Sequence, residues 1–260
     1  MSESTLNSTL RQLKLAAAIT VLGSQTMAQS VPSLLDKGSF EGFIRSLNTS
    51  QYGYAVIEDP TGYSPTSKVE RFEVRPGDCV DGRRWDDCKT DRERSELSEQ
   101  TRLPNQGETI WYGWSFYLPL DWPYVYPTKT TLAQFHQEDA PPVWMFLNYK
   151  EGLVLDDLSS GWSARFIPLI DADELKGRWH RIEVEVIWSA NEGVFRVWAN
   201  RELKFDFKGQ TTTADATYFR YGVYRSFVSR YQKAMNVTEV PAQWALFSNV
   251  KRASSRAGLN

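Results

Sequence analysis

The polar and apolar positions of this chain fall mostly into a period of two. Arg181-Ile182-Glu183-Val184-Glu185-Val186 alternates without a break, which predicts a strand with one solvated and one packed face. From about residue 52 the same signal recurs in short runs. Strands are expected at Lys68 to Val74, Thr109 to Leu118, Thr130 to His136, Val143 to Tyr149, Trp162 to Leu169, Trp179 to Trp188, Gly193 to Ala199, Thr217 to Arg225 and Trp244 to Val250. Turn signals separate them. Pro119 to Pro127 carries three prolines, Asn191-Glu192-Gly193 reads as a hairpin turn, and Asn200-Arg201 as a turn within the alternation that starts at Val194. Residues 29–50 are mixed, with Val31 to Leu35 fitting a short helix start, and Arg252 to Asn260 read as a frayed polar tail. Long helical periods, internal repeats and Gly/Ser/Pro-rich linkers are lacking. Many short strands in 260 residues imply a single all-β domain, a β-sandwich or jelly roll.

The first 28 residues break this pattern. Arg11 and Lys14 precede the apolar run Leu15 to Gly23, and Thr26-Met27-Ala28 resembles a small-residue cleavage site. The run is too short to span a bilayer. Residues 1–28 are therefore expected to be an export signal, with residues 29–260 as the secreted or periplasmic mature domain; a disordered leader is the alternative. Removing Glu3, Arg11 and Lys14 changes the net charge from −2 to −3. Such a chain is not a nucleic-acid binder by global charge, and it lacks the basic excess that a very highly sulfated polymer would require. In an exported protein the two cysteines, Cys79 and Cys88, are best read as a disulfide. The loop between them holds Asp81, Gly82, Asp86 and Asp87, next to Asp78. These carboxylates offer oxygen ligands for calcium, against the plainer reading of a solvated acidic turn.

The candidate chemistry lies in three strand-like segments: Arg94-Ser95-Glu96-Leu97, Ala133-Gln134-Phe135-His136-Gln137 and Tyr218-Phe219-Arg220-Tyr221-Gly222-Val223-Tyr224. Alternation groups Arg94 with Glu96, Gln134 with His136, and Tyr218 with Arg220, Gly222 and Tyr224. A guanidinium, an amide, an imidazole and a phenol can then converge on one concave sheet surface, a set suited to an acidic sugar and to proton transfer. Ten Trp, twelve Tyr and thirteen Phe supply core packing and rings on which sugars stack. Each residue also has a plain reading: Arg94 and Glu96 as a surface ion pair, His136 and Tyr224 as packing, His180 as structural beside a core Trp179. Two histidines so far apart do not make a zinc cluster, and there is no Gly-x-Ser-x-Gly, phosphate loop or dinucleotide fingerprint. Glu183 with Glu185, and Asp171 with Asp173, are same-face carboxylate pairs that a glycoside hydrolase would need.

The three segments resemble the signature strands of the jelly-roll alginate lyases. Trp111-Tyr112-Gly113-Trp114-Ser115-Phe116-Tyr117-Leu118-Pro119, Gly177-Arg178-Trp179-His180 and Gly222-Val223-Tyr224-Arg225-Ser226 are similar to the heparin lyase and glucuronan lyase group. The resemblance spans roughly residues 70 to 250. It implies β-elimination on a polyuronate: loss of the C5 proton, expulsion of the C4 oxygen and an unsaturated product. In that chemistry Gln134 and Arg94 neutralise the uronate carboxylate, Tyr224 serves as general acid, and Tyr224 or His136 serves as base according to the sugar's stereochemistry. Arg94 or Arg220 would favour a Tyr224 anion. Arg220, Glu96 and Tyr218 contact substrate, and Gly222 leaves room for a sugar ring. The resemblance implies no catalytic cofactor and a structural calcium. Two departures weaken alginate as substrate and favour a glucuronan-like polymer: Arg220 stands where the alginate pattern has Lys, and Arg225-Ser226 where it has Gln. A monomer acting on an acidic polysaccharide, away from membranes, is expected. A non-catalytic carbohydrate-binding module is the reading from a different class.

Overall fold

The computed structural model describes residues 42–81, 85–100, 103–104, 107–150, 152–159 and 165–260. The expected leader over 1–28, the helix start at 31–35, and the first residues of the strand expected from Trp162 lie outside the described residues. Two antiparallel sheets stack as a sandwich. The eight-stranded sheet runs in the order β1 (Phe43–Ser46), β4 (Arg92–Glu99), β14 (Ala216–Ser226), β7 (Lys129–Gln137), β8 (Ala140–Tyr149), β9 (Gly152–Asp157) and β10 (Arg165–Ile170), and β5 (Leu103–Pro104) also pairs with β14. The seven-stranded sheet runs β13 (Glu202–Gly209), β12 (Gly193–Ala199), β11 (Trp179–Ile187), β6 (Thr109–Tyr117), β15 (Gln243–Ala253), β3 (Lys68–Val74) and β2 (Tyr54–Glu58). The strands nearest in sequence are often not neighbours, so the core closes only when distant segments meet. The expected all-β jelly roll is what forms.

Aromatic side chains from both inner faces fill the space between the sheets. Phe135, Phe219 and Tyr221 of the larger sheet meet Tyr112, Trp114, Phe72 and Phe247 of the smaller, with ring centroids 5.0–5.7 Å apart in tilted, edge-on and stacked arrangements. These rings are 0–1 % exposed. In β11 the expected alternation is observed, with Ile182, Val184 and Val186 buried and the glutamates between them on the outer face. The phase there makes His180 the buried residue and Trp179 the outer one, which corrects the expected core tryptophan.

The turn at Asn200-Arg201 forms as expected. Both residues have positive φ (51° and 74°) and Ala199 pairs with Glu202, a two-residue hairpin whose backbone matches the strand twist. The strand β9 carries no alternation, because all six of its residues are buried. Helix α1 (Val228–Met235) has no long period to announce it. Its N-terminus is held by a remote residue, since Asp91 accepts from the Ser229 amide (2.8 Å) and hydroxyl (2.6 Å).

The end of the chain corrects another expectation. β15 continues to Ala253, and residues 256–259 form a 3-10 turn. Leu259 is fully buried, and the Arg256 guanidinium donates twice to Glu183 at 2.7 and 2.9 Å. A polar composition conceals one apolar anchor and one charged clamp. Leu259→Ala is expected to cost about 2 kcal/mol or more through lost burial and the cavity left behind, read as a lowered midpoint in urea denaturation. A terminus that frays would give no shift.

Candidate active site

Strand β14 lies between β4 and β7, and its register decides which side chains meet. Across β4, Tyr224 pairs with Arg94, Gly222 with Glu96 and Arg220 with Ser98. Across β7, Arg220 pairs with Gln134 and Tyr218 with His136. Phe219, Tyr221, Val223, Leu97 and Phe135 enter the core between the sheets. Alternation then puts Arg94, Glu96, Gln134, His136, Tyr218, Arg220 and Tyr224 on the opposite, outer face. The seven residues named from sequence are thus brought to one face of one sheet. They form two connected groups.

The first group surrounds Arg94. Its Nε donates to Asp87 Oδ2 at 2.7 Å and its Nη2 to Asp87 Oδ1 at 2.6 Å, a bidentate pair. Its Nη1 donates to Glu96 Oε2 at 3.1 Å, and the other Glu96 oxygen accepts from Gln134 Nε2 at 2.7 Å. Arg94, Glu96, Asp87 and Gln134 are all within 3 % of complete burial. The pair Arg94–Glu96 is therefore internal, not a surface ion pair. Burial works against the Arg94 charge, but Glu96 and Asp87 outweigh it and hold its pKa above the ordinary arginine value. The Nε and Nη2 edge of Arg94 is already occupied by Asp87, and with the bond to Glu96 two of its five N–H groups are left.

Tyr224 stands on this group. The Arg94 guanidinium lies 4.3 Å from its ring centroid. Its hydroxyl accepts from Arg92 Nε at 2.8 Å. Arg92 is the functional candidate that the three segments missed; it lies two residues before Arg94, so the same alternation that groups Arg94 with Glu96 includes it. Burial raises the Tyr224 pKa above the usual tyrosine value, and Arg94 and Arg92 offset only part of that. The side chain is thus a neutral phenol at ordinary pH. Of the two cations expected to favour its anion, Arg94 does act to lower the pKa, and Arg92 joins it.

The second group is His136, Tyr218 and Arg220. Arg220 Nη2 donates to the Tyr218 hydroxyl at 2.9 Å and its Nε to Ser98 Oγ at 3.3 Å. His136 stacks on Tyr218 with centroids 5.2 Å apart. His136 Nδ1 lies 2.7 Å from the Gln137 carbonyl oxygen. A carbonyl only accepts, so this contact needs a proton on Nδ1, which also lies 3.1 Å from the Tyr218 hydroxyl. Thr131, opposite Tyr224, and His136, opposite Tyr218, are five residues apart on β7. The His136 and Tyr224 backbones are therefore about 16 Å apart along the strands, with Gln134 and Arg220 between them.

Gly222 serves a different purpose from the one expected. Its φ is +137°, and a Cβ there would lie 2.4 Å from the Ser95 carbonyl oxygen and 2.8 Å from both Glu96 Cα and the Phe72 ring. The missing side chain admits β4 and the core, not a sugar ring. The pairing of β14 with β7 slips in this stretch, between Tyr221 and Tyr224, as a bulge. Arg225 is fully buried on the inner side and pairs with Glu93, so Ser226 is the outer-face residue after Tyr224.

Cys79 and Cys88 are joined as a disulfide. Three carboxylates in and beside the loop they close already have protein partners. Asp87 is bound to Arg94, Asp86 to Lys89 at 2.7 Å, and Asp78 accepts from the Arg75 amide at 2.7 Å and from the Tyr52 hydroxyl. Among the described residues, no group of three or more His, Cys, Asp and Glu side chains converges as metal ligands. The same residues do not form a hydrolase pair either. Glu183 is held by Arg256, and Glu185 accepts from Arg196 at 2.9 Å, both on the outer face of the other sheet. Among the described residues no helix is long and apolar enough to cross a membrane.

Two outcomes follow from this geometry. Asp87→Ala leaves the Arg94 charge buried with half its partners gone, and is expected to cost about 3–5 kcal/mol in chemical denaturation. His180 is buried in the other sheet, and burial lowers its pKa below the ordinary 6.5. The unfolded chain then binds the proton more readily than the folded one. Stability contributed by neutral His180 is complete above pH 6.5 and is lost as pH falls below it. In His180→Asn that part of the acid loss, followed by thermal unfolding between pH 8 and pH 5, is expected to vanish.

The polysaccharide lyase family matches residues 35–251. None of the curated proteins matches the chain. Among solved structures, the chain is similar to an endo-β-1,4-glucuronan lyase from the fungus Trichoderma reesei, at 17% identity and a TM-score of 0.58, over 82% of this chain and 91% of that one. An alginate lyase of polysaccharide lyase family 7 aligns at 16% identity and a TM-score of 0.56, over 79% and 83%. The catalytic domain of a glycoside hydrolase family 131 protein from Coprinopsis cinerea aligns at 14% and 0.58, over 88% and 91%. At such identities these likenesses speak for the jelly-roll fold, which lyases and hydrolases share. The family match covers most of the chain, and by it this protein belongs to the polysaccharide lyase family.

Proposed function

We propose that the outer face of β4, β14 and β7 cleaves a glucuronan-like polyuronate by β-elimination. The observation that carries this is the Tyr224 hydroxyl, hydrogen-bonded by Arg92, on the same face as Gln134, Arg220 and His136. The uronate carboxylate docks on Gln134 and Arg220, because Arg94 is sealed between Asp87 and Glu96 whereas Arg220 is half-buried. Glu96 accepts from Gln134 Nε2 and so fixes the amide's orientation toward the sugar. Arg220 adds positive charge where the enolate develops. Arg94, Asp87 and Glu96 act as a rigid positioning frame.

His136 takes the C5 proton on Nε2. The C5–H electrons form the C4–C5 double bond, and the C4–O4 bond breaks. Tyr224 gives its proton to the departing O4, and Arg92 stabilises the phenolate left behind. Solvent then returns a proton to Tyr224 and removes one from His136. His136 and Tyr224 stand on one face of the sheet and so address one side of the sugar, and a glucuronosyl residue carries its C5–H and C4–O4 on the same side. The sequence departures from the alginate pattern, Arg220 and Arg225-Ser226, support glucuronan over alginate. The Cys79–Cys88 bridge and the leader-like residues 1–28 support a secreted or periplasmic protein.

The test is near-ultraviolet absorbance of the product on a panel of glucuronan, alginate and related polyuronates. An unsaturated product is expected, greatest on glucuronan. Its absence throughout, with the polymer still bound, would favour the binding module; greatest turnover on alginate would overturn the substrate assignment alone. Tyr224→Phe deletes one oxygen and keeps the ring, so kcat is expected to fall by about 10² to 10⁴. Gln134→Ala is expected to lower it by roughly 10² to 10³ through loss of one donor. Near-normal turnover by Tyr224→Phe sinks the mechanism.

A further inference from the structure

The outer face continues beyond Tyr224. Tyr224 packs with Met145 and Leu147 of β8 and Val154 of β9 as one apolar cluster, and Tyr149 and Phe166 border it. Tyr149 stacks on Phe166 of β10 with centroids 5.1 Å apart, and Tyr126 from the preceding loop meets Tyr149 edge-on at 5.0 Å. These three rings are not sealed into the core. Tyr126 is 46 % exposed, and Tyr149 and Phe166 are half-buried. Cations surround them. Lys129 Nζ is 5.0 Å from the Phe166 ring centroid and Lys150 Nζ 6.0 Å from that of Tyr126. Lys129 is balanced by Asp156 at 2.8 Å, whereas the charges of Lys150 and Arg230 both reach Tyr149.

An open aromatic platform with a positive surround, continuous with the candidate site, requires a ligand that is apolar on one face and anionic at its edge. A uronic acid ring has that form: axial C–H bonds on its face and a carboxylate on its rim. Phe166 lies four strands from Tyr224, or about 19 Å across the sheet. A chain of several sugars is needed to touch both. We infer that Tyr126, Tyr149 and Phe166, with Lys150, form a distal subsite that stacks one uronosyl residue of the substrate several sugars from the bond that is cut. This rests on the polyuronate reading above, and it makes chain length the selected property.

The experiment uses glucuronan and size-fractionated oligoglucuronates with the full chain. Phe166→Ala and Tyr126→Ala are compared with the unaltered protein by calorimetric affinity and by kcat/KM from product absorbance. An aromatic contact of this kind carries about a tenfold effect. Affinity and kcat/KM are expected to fall roughly tenfold on the polymer and long oligomers, with a loss that shrinks as the oligomers shorten. An equal loss at every length, or none at any, overturns the subsite. Thermal unfolding of both variants separates a folding defect in β10 from lost contact, and Tyr126→Ala alters an exposed loop side chain that no strand depends on. If the unaltered protein makes no unsaturated product, the lyase reading falls, while the calorimetric length dependence still decides the subsite.

Discussion

A buried arginine sets the terms for the working face of this protein. Taking a guanidinium out of water is costly unless its partners are already in place, and Arg94 meets that requirement with Asp87 and Glu96. Each partner then does a second thing. Glu96 orients the Gln134 amide, and Asp87 ties the face to the disulfide-closed loop through the residue next to Cys88. Tyr224 rests on the guanidinium plane. The network is connected throughout, so moving one member leaves another buried and unpaired. That makes the face stiff, as the proposed acid and base would require.

Strand β14 is where the core and the chemistry share one backbone. Its odd-numbered residues Phe219, Tyr221 and Val223 stack into the sandwich, and its even-numbered residues Tyr218, Arg220 and Tyr224 serve the outer face. A slip of one residue would exchange the two sets. The aromatic interior thus holds the register that the site depends on. Gly222 is the point of closest approach, where β4 and Phe72 leave no space for a side chain. The same spot carries the bulge against β7, which sets Tyr224 opposite Thr131 and fixes its distance from His136.

Charge placement divides the molecule in a similar way. On the seven-stranded sheet, outer glutamates pair with arginines in exposed or half-exposed bridges, as Glu183 and Glu185 do with Arg256 and Arg196. Such pairs contribute little to stability. On the eight-stranded sheet the pairs are buried and their geometry is specific. The carboxylates that look most like a hydrolase pair in sequence are therefore structural clamps.

Several things were legible in the chain alone. Period-two alternation marked most strands, the side on which Arg94, Gln134, His136, Arg220 and Tyr224 fall, and the hairpin at Asn200-Arg201, because these are local consequences of backbone geometry. Alternation is blind where a strand is buried on both faces, so β9 was silent, and where a helix is capped from afar, so α1 was too. It is also blind to depth. Arg94 and Glu96 carry the same pattern whether solvated or sealed, and only the packing of Asp87 against them shows which N–H groups remain. Tyr224 is a tyrosine in any sequence; that its pKa lies above the usual value despite two neighbouring arginines comes from burial. The tail after Arg252 reads as polar, yet Leu259 is buried beside Gly113 and Arg181, far away in sequence. What the sequence by itself determined was the direction of each side chain along its own strand. Which directions meet, and how far each group is withdrawn from water, depends on long-range pairing between strands and was decided only by the tertiary structure.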